Sequence, residues 1–389
     1  MRAIREDIRA SCWQALNDRL IEQGAEKTFR ITDNDMMMEY GQNNIRAFGF
    51  RASSGSLTAR LKSLEGLNFA WIEEAEEIGE DEFRKFDDTL RTVKGRIRIV
   101  LTLNTPAKNH WIIKKWFNLE PHPEASGFYI PVLKDEAKDV LFIGGTWQEN
   151  EPNLDTATIA RYKSYKYSKP EYFWQVIEGL SPETVMGKIY SGWREIAEVP
   201  HGARLLGYGL DFGFSKDPDA LVAVYYYDGG YILEEKHYST GNSYEVLAEI
   251  CKLLPPAPII ADYSDLRMIN ALRSAGVNVI ETKKGAGSVA YGIKHMQGLK
   301  ISYVATSANL KREYENYAWY VDKNGENKLI PDPKSVYQYG DHCLDAARYC
   351  LTALIHAGAD PEAEMRETIS VNFKARQNTE TQRNRYGIA

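Results

Sequence analysis

Leu205-Leu206-Gly207-Tyr208-Gly209-Leu210-Asp211-Phe212-Gly213 decides the fold. An apolar run closed by an acid reads as a central strand whose carboxyl end carries that acid out of the sheet. Working outward, Ala220 to Tyr227 reads as a second strand. Asp228-Gly229-Gly230 supplies a hairpin turn, and Tyr231 to Lys236 returns as a third strand. A helix over about 243–254 follows, stopped by Pro255-Pro256. Next come a strand at Ile259 to Ala261, a helix at Leu266 to Ser274 with Gly276 as its stop, and a strand at Val277 to Ile280. Ser288 caps a helix running to about Gln297, and a last helix runs from about His342 to His356.

A three-strand meander, then alternating helix and strand, then a final acidic helix, is the order of the RNase H-like fold. Upstream of it, Leu67 to Ile72 reads as a buried strand and Ile97 to Leu103 as a second strand, separated by helical segments, which predicts a second α/β sheet. The first of these strands ends in Glu73-Glu74, the second in Asn104-Thr105-Pro106. Ile4, Ile8, Cys12, Ala15, Leu16 and Leu20 recur at spacings of three and four and predict an amphipathic helix at the start. The expected organisation is a sheet domain at 1–150, a connector at 151–200, an RNase H-like domain at 201–357 and a polar tail at 358–389 that has too few apolar residues for a core.

A chain of 389 residues with 43% hydrophobic residues can bury two cores. No apolar stretch reaches 18 residues and the N-terminus is charged, so the sequence reads as that of a cytoplasmic protein. Cys12, Cys251, Cys343 and Cys350 form no CxxC pair; buried free thiols are expected. The net charge of −6 excludes coating DNA by bulk charge but permits a local basic strip.

Three acids carry the chemistry. Asp211 and Asp262 each close an apolar strand, and Asp345 lies on the last helix. Asp341 is four residues before Asp345 and shares its face. His342, three before Asp345, suits a metal ligand or a proton shuttle, and Arg348, three beyond it, suits orienting that carboxylate. Hard divalent cations prefer such oxygen sets, and a two-metal site of Mg²⁺ or Mn²⁺ cuts phosphodiesters. Taken singly, an acid after a strand is a common turn or cap residue; the strand, strand, helix order is what favours a site. Asp217 and Asp219 read as turn residues. Lys283-Lys284-Gly285 before a helix start suits a DNA backbone, with a plain surface loop as the equal alternative. In Arg161 to Pro170 basic and aromatic residues alternate, as in ligands of single-stranded nucleic acid, but a helix with packed tyrosines and solvated lysines explains the pattern better.

Trp71-Ile72-Glu73-Glu74-Ala75 has the shape of a Walker B strand end. No G-x-x-x-x-G-K-[ST] phosphate cradle accompanies it: Gly187-Lys188 is followed by Ile189.

Together, Lys62 to Ala75, Leu101-Thr102-Leu103-Asn104-Thr105-Pro106, Gly209 to Gly213, Ile259 to Asp262 and Asp341-His342-Cys343-Leu344-Asp345-Ala346-Ala347-Arg348-Tyr349 resemble the large terminase subunit of tailed bacteriophages. The resemblance covers about residues 1 to 357. It implies a truncated P-loop ATPase-like sheet domain followed by an RNase H-like nuclease domain. By resemblance Glu73 holds Mg²⁺, Glu74 is the ATPase base and Asn104 couples hydrolysis to movement, while Asp211, Asp262 and Asp345 form the nuclease. The implied role is cutting concatemeric viral DNA during ATP-driven packaging, with the portal, the small terminase subunit and further copies of the chain as partners. The family's phosphate loop precedes the stretch resembling Met1 to Leu20. A truncated gene, a mis-called start and a degenerate prophage copy are therefore all open, and ATP use is expected only if the loop is supplied. Two other readings stand beside this one. A resolvase or integrase on the same fold leaves Lys62 to Ala75 unexplained. A non-catalytic DNA- or portal-docking component predicts no metal-dependent cutting.

Overall fold

A computed structural model describes residues 1–51, 66–91, 95–213, 217–263, 265–282, 287–321 and 327–356. The chain divides into two compact units, Met1–Met186 and Gly187–Ala389, so the boundary falls inside the stretch expected to be a connector.

In the first unit, β1 (Arg2–Ile4) precedes the helix α1 (Gln14–Glu22). The strands β2 (Arg30–Thr32), β3 (Met37–Tyr40) and β4 (Asn43–Arg46) form an antiparallel sheet, and β5 (Gly49–Arg51) pairs in parallel with β1. The expected N-terminal helix begins at Glu6 and passes through a π-helical turn (Arg9–Trp13) into α1; residues 2–4 are drawn into a strand because β5 offers a ladder, a tertiary effect that overrides local periodicity. Strand β6 (Phe69–Glu73), helix α2 (Glu80–Thr89) and strand β7 (Arg98–Thr102) follow, with β6 and β7 parallel. β6 is not buried throughout as expected; it alternates, with Phe69 56% exposed and Ile72 0%. Ile72, Ile78, Phe83, Phe86, Trp111 and Ile112 pack into one core, each contributing roughly 1.5–3 kcal/mol by leaving water.

Helix α3 (Trp111–Trp116) leads into β8 (Phe117–Pro121) and β9 (Phe128–Leu133). After helix α4 (Thr156–Ser168), the short β10 (Ser181–Pro182) pairs with β9, which ties the expected connector into this unit. On α4, Tyr162 and Tyr165 are partly buried against Trp147 and Tyr172, and Lys163 lies over the Trp147 ring. Tyr162 and Tyr165 thus pack, as the plainer reading of this segment expected, while Tyr167 is exposed.

The second unit is built on a seven-stranded sheet in the order β11-β17-β14-β13-β12-β15-β16. Its strands are β11 (Arg194–Ile196), β12 (Arg204–Asp211), β13 (Pro218–Tyr227), β14 (Gly230–Thr240), β15 (Ile259–Ala261), β16 (Val279–Glu281) and β17 (Ile301–Val304). β12, β13 and β14 form the antiparallel meander; β15 and β16 extend it in parallel on one side, β17 and β11 on the other. The β13–β14 hairpin turns through Asp228 (φ 47°) and Gly229 (φ 69°), the positive-φ pair of a type I′ turn.

Helices α5 (Tyr244–Lys252) and α6 (Leu266–Ser274) cover one face of this sheet, packing Leu247, Ile269 and Leu272 on Tyr208, Leu210, Leu221 and Ala223. The opposite face of β13, Ala220, Val222 and Val224, packs with residues of α7 (Ser288–Gln297), α8 (Ala308–Asn316) and the last helix. A hairpin of β18 (Trp319–Val321) and β19 (Asn327–Pro331) and helix α9 (Pro333–Tyr339) lead to that last helix, α10 (His342–His356). β13 has apolar residues on both faces because both are covered. Among the described residues no helix is long and apolar enough to cross a membrane.

Candidate functional site

β12 and β15 are parallel neighbours in register, Leu210 opposite Ala261, so Asp211 and Asp262 emerge side by side at the carboxyl end of the sheet. Asp262 N–H reaches Leu210 O at 3.4 Å, holding the chain beside β12 as it leaves the ladder. The third acid arrives on α10, which lies on β12 at very short range. A Cβ at Gly209 would stand 1.7 Å from Ala346 O, so only glycine lets the helix backbone rest on the strand there.

Tyr349, four residues after Asp345 on α10, marks where the acids meet. Its hydroxyl is 3.3 Å from Asp211 Oδ1, 3.4 Å from Asp262 Oδ2 and 3.2 Å from Asp345 Oδ2. All three carboxylates therefore stand within two hydrogen-bond lengths of one another. Arg348 grips Asp345 with two nitrogens, Nε to Oδ1 at 3.3 Å and Nη2 to Oδ2 at 2.6 Å. His342 Nδ1 is 2.9 Å from Asp211 Oδ2.

The electrostatics are those of crowded acids. Burial raises Asp211; its bond to His342 opposes the rise, and the charges of Asp345 and Asp262 add to it. Burial and then the Asp345 charge push Asp341 up to about 7. Burial disfavours a charged His342, but the hydrogen bond and charge of Asp211 outweigh it and push the imidazole up to about 9.

Among the described residues no three His, Cys, Asp or Glu side chains already stand at metal-ligating spacing. The donor set of three nearly buried carboxylates with a fourth beside them nevertheless fits a hard divalent cation, which would relieve their mutual repulsion.

Two residues here escaped the sequence reading. Tyr349 had a signal, since four residues after Asp345 is the same helix face. Glu313 had none. It lies on α8, is fully buried, and its Oε2 accepts from Cys343 N–H (2.8 Å) and Leu344 N–H (3.1 Å), capping α10 from another helix. Asp219, expected in a turn, is a buried member of β13; Oδ1 accepts from Gly213 N–H (2.8 Å) and Oδ2 from Asn242 Nδ2 (2.9 Å). It braces the chain just after Asp211. Lys283 and Lys284 lie outside the described residues.

In the first unit, Glu73 ends β6 and Glu74 follows with φ 50° in the left-handed region. Cys12 Sγ donates to Glu73 Oε2 at 2.7 Å, and the Arg2 guanidinium pairs with Glu74 and approaches Glu73 at 3.8 Å. Asn104 does not join them: its backbone N–H and Nδ2 both reach Glu76 Oε1 at 3.2 Å.

Two family models match the chain. One, described as "Phage terminase large subunit", covers residues 1–180; the other, "Terminase RNAseH like domain", covers residues 211–353. The large terminase subunit of Bacillus phage SPP1 is 33% identical over 159 residues, 36% of this chain and 34% of that protein. The PBSX phage terminase large subunit of Bacillus subtilis is 23% identical over 322 residues, 75% of this chain and 70% of that protein. The match to the SPP1 protein spans about a third of that relative's length. Among solved structures, the SPP1 large terminase nuclease domain with bound Mn aligns over 42% of this chain and 97% of its own, with 26% identity and a TM-score of 0.37. The large terminase of the thermophilic bacteriophage D6E aligns over 91% and 85%, with 20% identity and a TM-score of 0.37.

Proposed function

Because the chain belongs to the phage terminase large subunits, its second unit being their RNase H-like domain, we propose that it is a Mg²⁺- or Mn²⁺-dependent endonuclease that cuts concatemeric viral DNA during packaging. The convergence of Asp211, Asp262 and Asp345 on one hydroxyl carries this reading.

Asp211, Asp262 and Asp345 would hold divalent cations, with Asp341 and His342 at the margin of the set, and cations bound there would supply an activated water and offset charge on the scissile phosphate. His342 fixes the Asp211 carboxylate through the contact of Nδ1 with Oδ2. Arg348 fixes Asp345 through both oxygens, so rotation of that carboxylate is prevented from behind. Lys283 and Lys284 are the proposed DNA contacts.

In the proposed assembly the chain works in the host cytoplasm and at the procapsid portal, as one of several copies, with the small subunit and double-stranded viral DNA. Glu73 and Glu74 take the Mg²⁺ and base roles, and Asn104 the coupling role, only if a phosphate loop is supplied to them. A second reading applies to the first unit. Arg2 already answers the acids at the β6 end, which favours a docking rather than an ATP-hydrolysing role for this sheet.

Incubation of plasmid DNA with the purified chain and Mn²⁺, beside Asp262→Ala and Asp345→Ala, tests the nuclease. Cutting by the parent that both variants lose is expected. A folded parent that leaves plasmid intact would sink the reading.

A further inference from the structure

We propose that the Tyr349 hydroxyl is a positioning group that sets the spacing of Asp211, Asp262 and Asp345 for a divalent cation, a role that rests on the nuclease reading above. The three distances are nearly equal, 3.2 to 3.4 Å, and all exceed the usual 2.7–2.8 Å of an O–H···O bond. One proton cannot serve three carboxylates together, so the phenol is shared among them rather than bonded tightly to one. That geometry gathers three acids from three elements, β12, the end of β15 and α10, around a single atom.

The placement of the ring makes that atom a fixed point. Tyr349 is 5% exposed, belongs to the core beneath α10, and has the Arg348 guanidinium 4.9 Å from its ring centroid. His342 and Arg348 each serve one acid: His342 holds Asp211 and Arg348 holds Asp345. The phenol faces all three acids at once. A phenol is neutral through the working pH range, so it organises the acids without cancelling the negative charge that attracts a cation. The tyrosine also replaces nothing a phenylalanine could supply: packing would survive the change, and the shared donor would not.

The test is Tyr349→Phe in the full chain. Mn²⁺ binding is measured without DNA by calorimetry and by the electron paramagnetic resonance signal of free Mn²⁺, with circular dichroism melting of the metal-free protein alongside. Tyr208→Phe is the control. It removes a buried phenol from the opposite face of the same sheet, where the hydroxyl donates to Pro255 O at 2.9 Å. The expected result is a Tyr349→Phe melting curve close to the parent's and a Mn²⁺ affinity about tenfold weaker. Tyr208→Phe should bind Mn²⁺ as the parent does, and plasmid cutting by Tyr349→Phe should recover as Mn²⁺ is raised. Unchanged or tighter Mn²⁺ binding by Tyr349→Phe overturns the proposal, as does an equal loss in the control or a parent that binds no Mn²⁺. A parent that binds Mn²⁺ but cuts no DNA, with weakened binding in Tyr349→Phe, removes the nuclease reading and leaves the positioning role standing.

Discussion

His342 Nδ1 stands 2.9 Å from Asp211 Oδ2, joining the first residue of α10 to the last residue of β12. Both side chains are mostly buried, 20% and 15% exposed, so the contact is not a screened surface pair. His342→Ala leaves Oδ2 of a mostly buried carboxylate without its imidazole partner. The expected cost is about 1–3 kcal/mol in metal-free protein, read by urea denaturation. Unchanged stability would mean that the pair does not hold in solution.

Gly209→Ala tests the approach of helix to strand. The added methyl would meet the Ala346 carbonyl at 1.7 Å, and backbone on both sides leaves no flexible side chain to give way. α10 must lift off β12, carrying Asp345 and Tyr349 away from Asp211. A loss of about 3 kcal/mol is expected, with plasmid cutting abolished. A variant that melts like the parent and still cuts would show that α10 does not rest on Gly209.

The outline of the second unit was legible because its signals are local. β15, α6 and α10 begin and end where the sequence placed them, and α7 does so too, although Ser288, expected as its cap, is its first residue and Gly287 precedes it. The convergence of Asp211, Asp262 and Asp345 was legible for a related reason: an acid closing a strand and an acid on a helix face are both patterns in the chain. β11 and β17 were not legible. They are short, and their partners lie far away in sequence, β17 beside β14 and β11 beside β17. The same holds for Glu313, whose role exists only because α8 packs against the start of α10. In the first unit, the partners of Glu73 and Glu74 come from Cys12 and Arg2, which no spacing rule connects to β6.

His110 gives the first unit a pH dependence of known sign. The ring is 5% exposed; Nδ1 accepts from Ile112 N–H, so Nε2 carries the proton facing Glu76 O at 3.1 Å. Burial lowers its pKa from 6.5 to about 4. Between those values the unfolded chain takes up a proton that the folded chain refuses. The stability is therefore present above pH 6.5 and is lost as pH falls toward 4. At pH 5 the loss should reach about 2 kcal/mol. His110→Asn keeps a side chain able to cap α3 and should remove this part of the slope. Equal losses between pH 7 and pH 5 in parent and variant would refute the assignment.

Glu313 links stability to the geometry of the site. Its carboxylate, though buried and pushed up to about 8 chiefly by that burial, is the acceptor for two amides in the first turn of α10. Glu313→Ala leaves both N–H groups buried without an acceptor, because Cys343 and Leu344 are 0% and 1% exposed. The expected cost is about 2–4 kcal/mol, and the first turn of α10, with Asp341 and His342, should loosen before the rest of the helix. Hydrogen exchange reads this directly. The amides of Cys343 and Leu344 should exchange much faster in the variant, while those of Cys350 and Leu351 stay protected. Uniform protection along α10 in Glu313→Ala would show that another group caps the helix.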